Sequence, residues 1–275
     1  MFNDLKEKVK HMRKEHRRIG ETLLQNPSLI LYLNASELAK YLQVSPSSVV
    51  RFVKKLGFKG YPDFRKAIIE RVGFNKTPLE YVQEAGSQIL DNIKTKELSA
   101  IERSLTPEMI SAINRASEVL AKSDYVLLVG YASAGLFAEL FYLFLSLTGL
   151  NISITTNSAV DFYAKIHMFD NQTIVVFSYL KHFKELVELL SKAKEMGYRI
   201  ISITESQVNP VALRSDINIP LWLERSGFLI TLTPIAIVIN LLVAGVSELR
   251  QEEVKKVLQK TKKMWENPNL FFGGE

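Results

Sequence analysis

Between Asn34 and Lys59 the apolar positions fall into two short helical stripes separated by a three-residue connection. Leu38, Ala39 and Leu42 share one face of a first helix. Asn34 can cap that helix while Glu37 reaches back from three residues later. Gln43, Val44 and Ser45 form the connection. Ser45-Pro46 then restarts a helix with a hydroxyl cap followed by the residue best tolerated at the first helical position. In the second helix Val49, Val53 and Leu56 recur at i, i+4 and i+7, a stripe that must be buried. Ser47, Ser48, Arg51, Lys54 and Lys55 lie away from it, and Gly57 stops the helix. Every titratable group on this second helix is basic.

That is the outline of a helix-turn-helix, in which the second helix meets the major groove by its N-terminal residues. Ser47, Ser48 and Arg51 are the candidates for base edges, whereas Lys54, Lys55 and Lys59 sit later and suit phosphates. Ser36, Ser45 and Tyr61 complete the expected DNA-facing set. The plainer alternative is a helical hairpin with lysines on its wet face, because the same unit occurs in proteins that never meet DNA. Upstream, Glu15 to Gln25 carries Ile19 and Leu23 on one face, and Asn26-Pro27 ends that helix. Downstream, Phe58 to Pro62 is a turn and Asp63 to Val72 a further helix. A linker starts over Gly73 to Pro78, and Leu79 to Ile93 and Pro107 to Leu120 read as helices.

From Asp124 the pattern changes to short, nearly all-apolar runs: Tyr125 to Val129, Ile152 to Thr155, Thr173 to Phe177, Arg199 to Ile203 and Ile217 to Leu221. They alternate with helical patterns at Gly135 to Leu147, Ser158 to Ile166, Phe183 to Met196 and, briefly, Val211 to Arg214. Apolar strands alternating with helices indicate a parallel sheet covered on both faces. Ligands in such sheets bind outside the carboxyl ends of the strands, which directs attention to Gly130 to Gly135, Ser178 to Phe183 and Thr204 to Asn209. Glu248 to Trp265 closes the pattern as a lysine-rich amphipathic helix, read as a docking or dimer helix.

Charge sharpens the division. Residues 1–75 carry 15 Lys+Arg against 7 Asp+Glu, a net of +8, and the rest carry 20 against 22, a net of −2. A localised basic face is the electrostatic footprint of a polyanion partner, since each phosphate contact releases condensed counterions. At 275 residues with 47% apolar content the chain has room for one or two full cores. It contains no cysteine, so it has no disulfide, no thiolate nucleophile and no zinc site of the Cys type. The charged N-terminus lacks the apolar core of a signal peptide, and a cytoplasmic location is expected. Two apolar runs are weighed as membrane spans. Leu136 to Leu150 is too short, and Ile230 to Val246 holds Thr231, Thr233, Pro234 and Asn240, which favours a core or interface helix.

The stretch RRIGETLLQNPSLILYLNASELAKYLQVSPSSVVRFVKKLGFKGYPDFRKAI resembles the N-terminal domain of the RpiR/MurR family of bacterial transcriptional regulators. VLLVGYASAGLFAELFYLFLSLTG, IVVFSYLKHFKELVELLSKAKEMGYRIISIT and NPVALRSDINIPL resemble the sugar isomerase (SIS) domain that this family uses as an effector sensor. The resemblance implies an all-α helix-turn-helix domain followed by an α/β domain, a parallel five-stranded, flavodoxin-like sandwich with helices on both faces. It divides the chain into 1–75 for DNA binding, 76–106 as linker and helix, 107–250 for effector sensing and 251–275 as C-terminal helix and tail. It also implies a homodimer or homotetramer on a double-stranded operator, released or recruited by a phosphorylated sugar.

The effector loops depart from the family pattern. Ser178-Tyr179-Leu180-Lys181-His182-Phe183 stands where the family has Ser-x-Ser-Gly-x-Thr, and Gly130-Tyr131-Ala132-Ser133-Ala134 replaces Gly-x-Gly-x-Ser. Tyr131, Ser133, Ser178, Lys181, His182 and Thr204 are the candidate effector contacts. Three readings stay open. Lys181 and His182 hold an anion in place of hydroxyls; or Leu180 and Phe183 line a drier pocket for a less polar effector; or the loops bind nothing. No cofactor and no metal site is expected, since His11, His16, His167 and His182 show no ligand spacing with a carboxylate. Glu139, Glu224, His167 and His182 lie near the loops, but no catalytic residue is assigned. The alternative function is a sugar-phosphate isomerase with an accessory helical domain.

Overall fold

The computed structural model describes residues 7–72, 80, 89–166, 171–226 and 229–266. The expected linker start at Gly73 to Pro78, most of the helix expected over Leu79 to Ile93, and His167 lie outside them. The chain forms two compact units, one made of residues 1–89 with 208–210 and 226–229, the other of the remainder.

The first unit is helical: α1 (Lys14–Gln25), α2 (Ser28–Tyr32), α3 (Ala35–Leu42), α4 (Pro46–Lys55) and α5 (Tyr61–Val72). The capping box on α3 is complete. Asn34 Oδ1 accepts from the Ser36 and Glu37 N–H groups at 2.9 and 3.0 Å, and Glu37 Oε2 accepts from Asn34 N–H at 2.8 Å. Gln43 closes α3 in the left-handed region at φ 54°, and Ser45 caps α4 by accepting Ser48 N–H at 3.1 Å. The five-residue α2 has no counterpart in the sequence reading because one turn is too short to show a 3.6-residue period. It buries Leu29 and Ile30. These join Ile19, Leu23, Leu38, Val49, Phe52, Val53, Phe64 and Ile68 in one core, with Phe52 and Phe64 edge to face at 6.5 Å. Each such side chain contributes on the order of 1.5–3 kcal/mol by leaving water.

The second unit opens with α6 (Ile89–Ser104) and α7 (Pro107–Ala121). It continues through β1 (Tyr125–Gly130), α8 (Ser133–Leu145), β2 (Ile152–Thr156), α9 (Ala159–Ile166), β3 (Gln172–Phe177), α10 (Lys184–Glu195), β4 (Arg199–Thr204) and β5 (Ile217–Pro220). It ends on α11 (Thr233–Leu249) and α12 (Gln251–Trp265). The sheet is parallel with order β2-β1-β3-β4-β5. Val126, Leu128, Val175, Phe177, Ile201 and Ile203 face α7, α8 and α11; Leu127, Val129, Ile174, Val176 and Ile200 face α9 and α10. Residues 90–104 belong to this unit. There the Glu97 carboxylate accepts the Leu232 and Thr233 N–H groups at the start of α11, and Arg103 stacks over Trp222 at 3.3 Å.

No single helix among the described residues is long and apolar enough to cross a membrane. The apolar run over Ile230 to Val246 forms α11, whose buried face is Pro234, Ile235, Val238, Ile239, Leu242 and Val246. The helix expected over Glu248 to Trp265 is α12, starting three residues later at Gln251, after the chain bends by 103° from α11. Arg250 sits at the bend and donates to the carbonyls of Thr148, Ala121 and Gly149 at 3.1, 3.0 and 3.4 Å.

Candidate nucleic-acid interface and effector loops

On α4 the buried stripe contains Val49, Phe52, Val53 and Leu56, which turns the opposite face outward. Ser45, Ser47, Arg51, Lys54, Lys55 and Lys59 are exposed, as is Ser36 at the start of α3. The hydroxyls at the start of α4 form a cluster, with Ser45 Oγ 2.9 Å from both Ser47 Oγ and Ser48 Oγ. Arg51 folds back on it, Nη1 donating to Ser47 Oγ at 3.1 Å and Nη2 to Ser48 Oγ at 3.0 Å. A guanidinium held this way by neutral hydroxyls keeps its full charge and free N–H groups for a second partner.

Two members of the expected set are placed otherwise. Ser48 is buried, its hydroxyl shared between Ser45 and Arg51, so it orients Arg51 instead of reaching a base. Tyr61 is 3% exposed and donates its hydroxyl to the Leu33 carbonyl at 2.9 Å, and burial pushes its phenol up to about 12. It belongs to the core because it starts α5 on the same buried face as Phe64 and Ile68. Behind α4 lies His16, buried, with its ring edge toward Phe52 at 6.1 Å and Nδ1 without a hydrogen bond. Burial, followed by the charge of Lys55, holds its pKa below the usual histidine value.

In the second unit the strand order reverses between β1 and β3, and the crevice at their carboxyl ends is where open α/β sheets take ligands. Gly130 ends β1 there, in register with Phe177 of β3 and Thr156 of β2. A Cβ on Gly130 would stand 2.6 Å from the Ala134 carbonyl oxygen, so only glycine lets β1 turn directly into α8. Each of the three loops that follow β1, β2 and β3 holds a non-glycine residue with positive φ: Ala132 at 53°, Asn157 at 55° and Leu180 at 67°. Such strain persists only where the surroundings impose it, and it gathers at ligand sites. Asn157 Oδ1 accepts the Ala132 N–H at 2.8 Å, tying the first two loops together.

Of the expected effector residues, Tyr131, Ser133, Ser178, Lys181 and His182 all stand on these loops, Ser133 and Lys181 exposed and Tyr131 and Ser178 buried. Thr204 does not serve. It is fully buried, and its hydroxyl donates to the Ser206 carbonyl or Asn218 Oδ1 at 2.7 and 2.8 Å. Tyr131 and Tyr179 are 6% and 7% exposed, and neither hydroxyl has a partner in full hydrogen-bond geometry, although Glu185 and Ser133 lie near them. Burial pushes both phenols up to about 12; Glu185 adds to this at Tyr131, and the Ser133 hydroxyl offsets part of it at Tyr179. Tyr131 packs on Phe183 with ring centroids 5.5 Å apart.

The residue the sequence reading passed over is Glu205, directly after β4. Its Oε2 accepts the Leu180 N–H at 3.1 Å, and Oε1 lies 3.3 Å from His182 Nε2, while His182 Nδ1 is 2.8 Å from Ser178 Oγ. The His182 and Glu205 side chains are 4% and 11% exposed. An acidic residue ending an otherwise apolar strand was the available signal, but its partners are 23 and 25 residues away. Glu224 accepts from Ser99 Oγ and Trp222 Nε1, both at 3.0 Å. Glu139 is exposed on α8.

Family models match on both units: the helix-turn-helix domain of the rpiR family over residues 1–73 and the SIS domain over residues 119–244. An uncharacterized HTH-type transcriptional regulator of Caldanaerobacter subterraneus subsp. tengcongensis is 24% identical over 253 residues, 89% of each chain. The Vibrio vulnificus NanR protein, solved in complex with ManNAc-6P, superposes with a TM-score of 0.58 at 17% identity, covering 96% of this chain and 97% of that one. The sugar isomerase domain of the RpiR transcription factor from Sphaerobacter thermophilus superposes with a TM-score of 0.60 at 20% identity, covering 64% of this chain and 99% of that one. An rpiR-family helix-turn-helix domain followed by a SIS domain is the RpiR-family architecture.

Proposed function

We propose that the protein is a DNA-binding transcriptional regulator. Its α4 face of Ser47, Arg51, Lys54 and Lys55 meets duplex DNA, and its SIS domain modulates that grip through a small molecule. The observation that carries this reading is the exposed outer face of α4, whose charged groups are all basic, set on a capped helix pair within the 1–75 segment that holds all the excess positive charge of the chain. Ser36, Ser45 and Lys59 join the contact set; Tyr61 and Ser48 act from beneath it. The relatives named as transcriptional regulators support the assignment. The effector reading rests on the strained loops and the two buried phenols at the β1/β3 switch point.

A homo-oligomer fits the same picture. A single small module makes few base contacts, and pairing modules on two half-sites raises affinity through effective concentration. Leu136, Leu140, Leu143 and Leu147 recur at i, i+4, i+7 and i+11 and are all exposed, an apolar stripe that a second copy would cover. The reading is of a regulator and not an enzyme. Ser178, His182 and Glu205 follow the order of a hydrolase relay, but Ser178 and the His182 side chain are buried, which suits a positioning network better than a nucleophile. Electrophoretic mobility shifts with the duplex upstream of its own gene test the proposal: a discrete complex supports it. Turnover of an aldose or ketose phosphate by the pure protein, with no shift, would favour an isomerase instead.

A further inference from the structure

The backbone N–H of a left-handed residue at the carboxyl end of a parallel strand is a natural seat for an anion, since it points outward at the sheet edge where nothing else satisfies it. Here that seat is filled from within. Leu180 N–H donates to Glu205 Oε2, and the same carboxylate faces His182 Nε2, with His182 in turn on Ser178. The carboxylate is anchored by its neighbours. Thr204 Oγ1 reaches the Ser206 carbonyl at 2.7 Å and Asn218 Oδ1 at 2.8 Å, and Asn218 Nδ2 donates to the Ser206 carbonyl at 3.2 Å. Both residues flanking Glu205 are buried and tied to β5, so its side chain cannot leave by a shift of the main chain.

We propose that Glu205 determines the specificity of this site: its carboxylate is a resident anion that excludes phosphorylated ligands and leaves a place for a neutral, hydroxyl-rich one. A phosphate brought to the Leu180 N–H would have to displace Glu205 or sit against its charge in a site shielded from water, where like charges repel strongly. A second carboxylate, Glu185, acts on Tyr131 in the same group of loops. The protonated Tyr131 and Tyr179 phenols and the Ser133 hydroxyl can donate to and accept from sugar hydroxyls, and the Tyr131–Phe183 pair offers apolar ring faces. Lys181 and Lys184 are exposed on the rim of the loop. The inference builds on the effector reading given above and sharpens it.

The test is isothermal titration of the full chain with inorganic phosphate and with glucose 6-phosphate, for the parent, Glu205→Ala and Glu205→Gln. The parent is expected to show no binding up to about 10 mM of either, and Glu205→Ala to gain binding at least about tenfold tighter than that limit. Glu205→Gln, which keeps the shape and removes the charge, is expected to show a smaller gain and covers the case in which the alanine variant does not fold. Submillimolar binding of glucose 6-phosphate by the parent, or no gain in either folded variant, overturns the proposal. A gain in the variants from a chain whose DNA binding answers to no small molecule would uphold Glu205 as the resident anion and remove only the effector reading.

Discussion

Arg51 donates through Nη1 to Ser47 Oγ, 3.1 Å away and one turn earlier on α4, so the residue expected to read bases is held over the hydroxyl cluster that opens the helix. Its side chain is therefore presented toward the N-terminal end of α4, the end proposed to meet a groove. Arg51→Ala is expected to weaken binding to the cognate duplex by about 1–3 kcal/mol while leaving random duplex little changed. Lys55→Ala should weaken both alike and lower the salt slope by about one. Competition titrations against scrambled duplex separate the two; equal losses on both duplexes for Arg51→Ala would remove its base-reading role.

Tyr61→Phe separates core from interface. Its hydroxyl is the donor to Leu33 O, and removing it leaves a buried carbonyl without that bond, at a cost of about 1–3 kcal/mol. Urea unfolding should show this loss, with the DNA affinity of the folded protein unchanged. A drop in affinity without a drop in stability would return Tyr61 to the DNA face.

His16 should make the helical unit sensitive to acid. Its folded pKa is lowered, chiefly by burial and then by Lys55, so the unfolded chain binds the proton more readily than the folded one. The stability tied to the neutral ring is fully present above about pH 6.5 and is lost progressively as pH falls below it. His16→Phe keeps a ring against Phe52 and should flatten the fall in melting temperature between about pH 7.5 and about pH 5. An equally steep fall in the variant would acquit His16.

Gly130→Ala tests the turn from β1 into α8. The added methyl meets the Ala134 carbonyl at 2.6 Å, a backbone atom that cannot step aside, and a loss of about 1–3 kcal/mol is expected. Thermal unfolding measures it; a variant as stable as the parent would show that α8 can slide.

The helix pair and the five strands were legible because their signals are local: caps at Asn34 and Ser45, a stripe at Val49, Val53 and Leu56, and apolar runs bounded by helical spacing. Strand limits agree with those expected to within a residue or so. What stayed hidden depends on contacts far apart in the chain. Tyr61 looked like a surface aromatic until Leu33, 28 residues earlier, took its hydroxyl. Thr204 looked like a loop hydroxyl, yet Asn218 holds it below the sheet edge. Glu205 carried no motif, and its meaning comes from Leu180, whose positive φ no residue type announces. The division between α11 and α12 is legible to within a few residues, whereas the hold on it by Arg250 is not, since its three acceptors come from the ends of other elements.

The central claim is that the basic face of α4 binds duplex DNA. Fluorescence anisotropy of the full chain with fragments upstream of its own gene, at about 50 mM and about 200 mM salt, measures this most directly. The account predicts tight binding to one fragment over scrambled duplex, with affinity falling steeply as salt rises. No binding to any fragment even at the lower salt would contradict it.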